Sequence, residues 1–337
     1  MVTSDNRQWL LRSYPDGIPG TDNFEQVTAP TPDLADGQIL VEPIYQSMDP
    51  LPRVRLNPDN GRIPPLPLGS VMIGRAVGRV LASRDEAWAV GDIACGEMGW
   101  QERAVVAAQD MTPVDATLAP ISTALGVLGP SGIAAYVSLI KLGEPQPGNT
   151  VLVPAAAGSV GSVVCQIARL KGCRVVAIAS GEQEQHYLRN ELGLEKIVDW
   201  RDANFESDLA DALPDGIDVF IDLVGGNIHN LAMRHINVGA RVALVGYVSA
   251  YNASGEPQNY GDIYAVIHKR AVMRGFLAPD HRDMVPQVLR DLSAWIQSGE
   301  LTYSEHIEQG FEQLPAAFAH LFSGFHPGKK LVQVSEH

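Results

Sequence analysis

The sequence is poor in the residues that bind zinc. Only three of its 337 residues are cysteines, Cys95 is the only cysteine among the first 150, and no histidine precedes His186. A catalytic zinc site takes about three Cys, His or carboxylate ligands, and a structural site takes about four. The first 150 residues therefore cannot build a Cys/His zinc site of the usual kind, and the sequence predicts chemistry without a metal.

Positive charge is also scarce. The 25 Lys and Arg residues are outnumbered by 39 Asp and Glu residues, which gives a formal net charge of −14. No basic stripe is present, so the charge pattern excludes the usual kind of nucleic-acid binding. The first eight residues lack the basic and then apolar pattern of a signal peptide, and three cysteines make no paired framework. We therefore expect a cytoplasmic protein with reduced thiols.

One charge-free segment, Thr117 to Ile140, is long enough to cross a bilayer. It is interrupted by prolines and glycines, which break helices. We expect a pair of short buried helices that separate at Gly129-Pro130, and no contact with a membrane.

The distribution of apolar runs predicts two domains. The first 120 residues contain short β-type runs between Pro and Gly, which indicates a mainly antiparallel β domain. Six apolar strands separated by helix-length segments then predict an α/β, doubly wound parallel sheet of the Rossmann type, with strands at 150–154, 174–179, 196–199, 218–223, 241–246 and 272–277. A strand, a helix and a strand follow. The predicted segments are 1–122 (β domain), 123–300 (Rossmann domain) and 301–337 (return to the β domain).

A glycine-rich turn follows the first of these strands. Val151 to Val153 would be the strand, and Ala156-x-Gly158-x-x-Gly161 would open a helix. Small residues let the backbone approach a pyrophosphate, which the helix N-terminus attracts. The residues predicted to contact a dinucleotide in this turn are Ala155, Ala156, Ala157, Gly158, Val160 and Gly161.

The second strand ends in Ser180-Gly181, where NAD-binding proteins usually carry an Asp or Glu for the ribose 2′-hydroxyl. The missing acid favours NADP over NAD, with Ser180 and Gly181 as contacts. Alternatively, Ser180 is a turn residue without a ligand.

Several motifs together resemble the zinc-independent medium-chain dehydrogenase/reductases, in the branch of prostaglandin reductases, leukotriene B4 12-hydroxydehydrogenase and bacterial curcumin reductase. The likeness spans most of the chain. The motifs that carry it are Ser47-Met-Asp-Pro50 with Arg53, Gly69 to Gly74, Ala155 to Ser162, Gly172 to Val176, Val224-Gly-Gly226, Val245 to Asn252, Gly310 to Phe318 and Gly328-Lys329.

The resemblance implies a GroES-like β domain beside the Rossmann domain, a homodimer, and NADPH-dependent reduction of the C=C bond of an α,β-unsaturated ketone or aldehyde. It also implies that two further segments flank the nicotinamide. Their residues are Val245, Gly246, Tyr247, Val248, Ser249 and Tyr251 in the first, and Phe276, Leu277 and Ala278 in the second.

This chain departs from the family pattern at five positions. Glu184 stands where the family usually has a lysine that helps bind the 2′-phosphate, and Trp200 replaces a tyrosine. Leu223 and His326 replace asparagines, and Leu51 replaces a tyrosine near the substrate. These changes weaken the inheritance of NADPH specificity and of substrate contacts.

The expected mechanism is hydride transfer from the nicotinamide to the β-carbon of the substrate. Charge then develops on the carbonyl oxygen, where a hydrogen bond is worth most. Tyr251 is the predicted donor; Tyr247 and Tyr45 are weaker candidates. Arg53 either steers an acidic or carbonyl substrate or forms an ion pair at the surface or at the domain interface.

The substrate stays open among enones, enals and quinones, so a quinone reductase is an alternative. A nucleotide-binding sensor or scaffold with little turnover is another. The polar stretch from Asn252 to Asp262 is predicted to be either a loop over the active site or an insertion.

Overall fold

The computed structural model describes residues 5–58, 63–252, 263–324 and 326–336. The strands are β1 (Asp5–Leu11), β2 (Phe24–Pro30), β3 (Gln38–Ser47), β4 (Arg75–Ser83), β5 (Ile93–Glu97), β6 (Ala104–Ala107), β7 (Thr112–Pro113), β8 (Thr150–Val153), β9 (Arg174–Ala179), β10 (Lys196–Asp199), β11 (Ile217–Asp222), β12 (Ile236–Leu244), β13 (Val272–Gly275), β14 (Glu305–Gln309) and β15 (Lys329–Gln333).

The α-helices are α1 (Pro130–Tyr136), α2 (Gly161–Leu170), α3 (Gly181–Asn190), α4 (Phe205–Ala212), α5 (Gly226–Met233), α6 (Val248–Tyr251), α7 (Ile263–Lys269), α8 (Val285–Ser298) and α9 (Leu314–His320). Short 3₁₀ helices cover Thr21–Asn23, Leu51–Leu56, Ala108–Asp110, Ile121–Leu125, Ala278–Met284 and Phe311–Gln313, and a π-helix covers Val137–Gly143.

The chain forms two compact units. One contains Met1–Leu125, Glu305–Gly324 and Lys330–His337, and the other contains Gly126–Ser304 and Phe325–Lys329. In the second unit, the six strands pair in parallel in the order β10-β9-β8-β11-β12-β13. Numbered along the chain from β8, this is the order 3-2-1-4-5-6 of a Rossmann sheet. The predicted α/β fold class is confirmed.

Apolar sequence explains why this sheet forms. All four residues of β8 are buried, and so are most residues of β9 and β11. One apolar cluster includes the buried side chains of α2 and α8, and a second includes those of α4 and α5. A parallel sheet needs such cover on both faces. The position where the strand order reverses, between β8 and β11, is where this fold binds ligands.

The first unit holds an antiparallel sheet in the order β14-β15-β3-β4-β5-β7, and β6 also pairs with β3. A separate hairpin contains β1 and β2. Phe311, Leu314 and Phe318 pack with Trp100 in one buried cluster, so the C-terminal part of the chain completes the core of this unit. The GroES-like, mainly β architecture that the resemblance implied is therefore present.

The charge-free segment from 117 to 140 folds as short helices. A 3₁₀ turn over Ile121–Leu125 precedes α1, and α1 begins at Pro130, the breaking point expected from the sequence. Helix α1 runs on directly as the π-helix Val137–Gly143. Within the described ranges, no helix is long and apolar enough to span a membrane.

Candidate functional site: a dinucleotide site at the glycine turn

The glycine turn leaves β8 with a left-handed residue. Ala155 has a φ of 49°, and its carbonyl oxygen accepts a hydrogen bond from the Gly158 N–H over 3.0 Å. The Ala156 N–H donates to the Ile178 carbonyl of β9 over 3.1 Å, which ties the turn to the neighbouring strand. A Cβ on Gly161 would lie 2.3 Å from the Ala155 oxygen, so only glycine lets α2 begin this close to the strand.

Two backbone donors of this turn are free. In the part of the chain that the structure describes, no group accepts a hydrogen bond from the N–H of Ser159 or of Val160. No side chain caps the N-terminus of α2, which begins at the next residue. Unpaired N–H groups and the positive end of a helix dipole together suit an anion such as a pyrophosphate. The residues present therefore fit a dinucleotide.

A segment near the C-terminus supports the same turn. The Gly328 N–H donates to the Ala157 carbonyl over 2.9 Å, and Gly328 forms a β-bridge with Gly158. Gly328 has a φ of 67°, and a Cβ there would lie 2.0 Å from the Ser304 carbonyl oxygen. A glycine just before the final strand is a sequence signal for this contact, but nothing in the sequence identifies its partner.

The end of β9 lies beside Glu184, the acid that stands in place of the family's lysine. Glu184, on the first turn of α3, folds back so that its carboxylate accepts hydrogen bonds from the Ser180 N–H (2.7 Å) and the Ser180 hydroxyl (2.9 Å). The Gly181 N–H donates to the Asp199 carboxylate over 2.8 Å. Burial raises the pKa of Glu184, and the bonds from Ser180 oppose that shift. Two carboxylates, those of Glu184 and Asp199, therefore lie against Ser180 and Gly181, and the sequence had pointed only to Glu184.

The turn after β12 lies beside the end of β11. Val245 and Gly246 donate backbone hydrogen bonds to the Asp222 carbonyl over 2.9 and 3.1 Å, and the Ser249 N–H donates to the Val224 carbonyl over 3.1 Å. The Tyr247 ring packs on the backbone of Gly225, where a Cβ would lie 2.1 Å from a ring carbon.

Tyr251 ends the short helix α6 in a half-buried position. Its phenol oxygen lies 3.4 Å from the backbone nitrogen of Tyr247, which donates to it. Burial raises the pKa of Tyr251. The hydroxyl therefore stays protonated at neutral pH, and its own hydrogen remains available for a second partner.

The segment after β13 lies next to the turn after β12. The Phe276 N–H donates to the Leu244 carbonyl over 2.9 Å, and the Phe276 ring stacks on His281 with centroids 5.6 Å apart. Leu277 is 61% exposed, and Ala278 starts a 3₁₀ helix. The structure thus brings the ends of β12 and β13 together, as parallel pairing of these strands requires.

Tyr45 and Arg53 belong to the other unit. Tyr45 is half-buried on β3, opposite Gln333 and Val77. Arg53 is only 2% exposed, and its guanidinium donates hydrogen bonds to the carbonyls of Pro15 and Gly17. Burial lowers its pKa. These contacts tie Arg53 to the segment that contains Pro15 and Gly17, so it is not a surface residue, and its steering of a substrate stays a prediction.

The other departures from the family pattern have separate surroundings. Trp200 is 47% exposed, with the Arg201 guanidinium 5.4 Å from its ring centre. Leu223 is buried, and Leu51 is 58% exposed. His326 is half-buried, two residues before the glycine that contacts the turn. Residues 253–262, which contain most of the predicted active-site loop or insertion, lie outside the described residues.

No group of three or more His, Cys, Asp or Glu side chains that could hold a metal ion occurs among the described residues.

Comparison with known proteins agrees with this architecture. Residues 7–114 match the family model described as the N-terminal domain of oxidoreductase, and residues 159–294 match the one described as zinc-binding dehydrogenase. The chain is 34% identical to NADPH-dependent curcumin reductase of Escherichia coli (98% of this chain, 97% of the relative) and 36% identical to prostaglandin reductase 1 of Oryctolagus cuniculus (98% and 93%).

A plant relative and a solved structure extend the comparison. The chain is 31% identical to the NADP(+)-dependent 2-alkenal reductase of Nicotiana tabacum, over 98% of both chains. The crystal structure of CurA from Vibrio vulnificus in complex with NADPH superposes with a TM-score of 0.92 at 35% identity, over 98% of this chain and 100% of that one. The fold and the glycine turn define a medium-chain dehydrogenase/reductase. The chain belongs to the zinc-independent branch of that family, as the sequence motifs predicted.

Proposed function

We propose that this protein is an NADPH-dependent reductase of the C=C bond in α,β-unsaturated ketones or aldehydes. The observation that carries the proposal is the pair of free N–H groups, at Ser159 and Val160, at the switch point of a Rossmann sheet. The names of the relatives support it, since they include curcumin, 2-alkenal and NADPH.

The chain's own residues would hold the coenzyme in two places. The glycine turn and the N-terminus of α2 would bind the pyrophosphate through the N–H groups of Ser159 and Val160. By the family resemblance, the segments Val245–Ser249 and Phe276–Ala278 would flank the nicotinamide. When bound, the reduced coenzyme supplies a hydride.

Tyr251 is the proposed catalytic residue. Its hydroxyl donates a hydrogen bond to the carbonyl oxygen of the substrate, on which negative charge develops during reduction. A donor positioned before the reaction stabilises that charge most in the transition state. The Tyr247 N–H holds the phenol oxygen in place. We further propose that water supplies the proton at the α-carbon.

The test is NADPH oxidation, followed by absorbance, with a panel of 2-alkenones, 2-alkenals and quinones, and with product analysis. We expect the saturated ketone or aldehyde. An allylic alcohol would contradict C=C reduction, and turnover of quinones alone would assign the chain to the quinone reductases. Tight NADPH binding without oxidation by any acceptor would support a sensor or scaffold instead.

We also propose a homodimer. Strand β13 is the last strand of its sheet within the described residues, so one of its edges can pair with another chain. Ile263 and Ile267 on α7 are each 66% exposed, and Val272 on β13 is 40% exposed. Light scattering should give a dimer mass, and Ile267→Lys should lower it. A monomer for the unaltered chain would contradict the proposal.

A further inference from the structure

The pocket for the adenosine ribose lies at the end of the second strand of a Rossmann sheet. An acid at that place accepts the 2′-hydroxyl of NAD, and its absence leaves room for the 2′-phosphate of NADP. In this chain the strand is β9, and the residue at its end is Ser180. The sequence alone therefore favours NADP. In the folded protein, however, two carboxylates lie against Ser180 and Gly181.

Glu184 supplies the acid from one turn further along the chain. Its two carboxylate oxygens accept the Ser180 N–H and the Ser180 hydroxyl, at 2.7 and 2.9 Å. These bonds hold the carboxylate at the strand end. They also engage the hydroxyl that would otherwise donate to a 2′-phosphate, and phosphate oxygens only accept hydrogen bonds.

Asp199 occupies the backbone donor at Gly181, which could otherwise bind a phosphate. The Gly181 N–H, at the start of α3, is a donor of the kind that binds phosphate at a helix N-terminus. It donates instead to the Asp199 carboxylate, which also accepts from the Gln185 side chain at 3.2 Å. The space above Gly181 is open, because a Cβ there would meet nothing within 4 Å. A ribose could therefore approach Gly181, beside the carboxylates of Glu184 and Asp199.

One cation lies close by. Arg201 attracts the Glu184 carboxylate, and its guanidinium lies over the Trp200 ring. It is exposed and can turn toward a 2′-phosphate. Its positive charge would offset part of the repulsion between the two acids and a 2′-phosphate.

We propose that Glu184 makes this site permissive for NADH: its carboxylate accepts the adenosine 2′-hydroxyl of NADH and repels the 2′-phosphate of NADPH. The inference rests on the proposed function, since it concerns the same coenzyme site. It predicts that the unaltered chain binds NADH and NADPH with dissociation constants within about tenfold of each other.

The test measures binding by calorimetry, without turnover. The probes are NADPH, NADH and two fragments, adenosine 2′,5′-bisphosphate and 5′-AMP. Glu184→Gln keeps an oxygen for the Ser180 N–H and removes the charge. We expect this variant to bind NADPH about fivefold or more tightly, as the loss of a like-charge contact of about 1 kcal/mol implies. Its affinity for NADH should be equal or lower. The fragments should follow the same order.

Glu182→Gln is the matched control, because Glu182 is exposed on the first turn of the same helix. It removes the same charge and should leave both affinities unchanged. Equal changes for NADPH and NADH in Glu184→Gln would show a structural role only and overturn the inference.

The unaltered chain gives a second readout that needs no variant. Strong preference for adenosine 2′,5′-bisphosphate over 5′-AMP would also overturn the inference, while leaving the proposed NADPH-dependent function intact. Failure to bind either coenzyme would overturn both.

Discussion

Replacing Gly161 with alanine should damage the fold of the dinucleotide turn. The new Cβ would lie 2.3 Å from the Ala155 carbonyl oxygen and 2.8 Å from the Ala156 Cα, and ordinary contacts begin at 3.4 Å. Both neighbours are backbone, so α2 and the turn must separate by about 1 Å. Overpacking of this kind costs about 1–3 kcal/mol. The better helix propensity of alanine offsets at most about 1 kcal/mol of this cost.

The expected net loss is therefore about 1–2 kcal/mol, which lowers Tm by about 2–4 °C per kcal/mol in a domain of this size. Thermal unfolding measures it, and calorimetry measures the accompanying loss of NADPH affinity. Gly158→Ala is the control, since its Cβ would meet only the Ala155 oxygen, at 3.2 Å. Gly158→Ala should keep most of the thermal stability yet lower the affinity for NADPH. Unchanged Tm and affinity in Gly161→Ala would refute the reasoning.

Further substitutions test other contacts. Tyr251→Phe should lower kcat on the best enone without changing NADPH affinity; steady-state kinetics measures both. Tyr136→Phe removes a hydrogen bond to Asp291 and should cost about 1 kcal/mol in urea unfolding. Burial, aided by Asp291, raises the pKa of Tyr136 from 10.0 to about 12. Its contribution to stability is therefore complete below pH 10 and is lost as the pH rises through 12. Gly328→Ala should destabilise the fold by about 1–3 kcal/mol, because its Cβ would meet the Ser304 carbonyl.

Each of these predictions has a contradicting result, and Gly328→Ala also has a matched control. Gly239→Ala has a similar positive φ with open space around the Cβ, so it separates backbone strain from the clash at Gly328. Equal losses in both would contradict the clash. An alkaline unfolding curve unchanged by Tyr136→Phe would contradict the pKa assignment, and full turnover in Tyr251→Phe would remove its catalytic role.

Much of the Rossmann sheet could be predicted because its strands are apolar on both faces. The predicted bounds of 174–179 and 196–199 match β9 and β10. Strand β12 begins at Ile236, before the predicted 241. Its first part contains Asn237 and Gly239, which are depleted in strands, and its valine, Val238, is 61% exposed, so this part lacks the buried apolar run by which the strand was predicted.

The coenzyme pocket was harder to predict than the sheet. The glycine turn is a local pattern, and the structure places its residues together as expected. Glu184 is only four residues from Ser180, and the family pattern already placed it near the 2′-phosphate; what the sequence did not show is that its carboxylate accepts both hydrogen bonds from Ser180. Gly328 reaches Ala157 only through the folding of the whole chain. Contacts between distant positions leave no spacing that one sequence can show. The same limit explains why the buried role of Arg53 was not foreseen.

The hydrogen bond between Gly328 and Ala157 has a consequence for the order of synthesis. The six strands of the parallel sheet leave the ribosome before residue 328 does, so the sheet can form while translation continues. Its glycine turn gains the support of Gly328 only near the end of the chain. A nascent chain should therefore acquire its full affinity for a dinucleotide late, after the rest of that unit has folded.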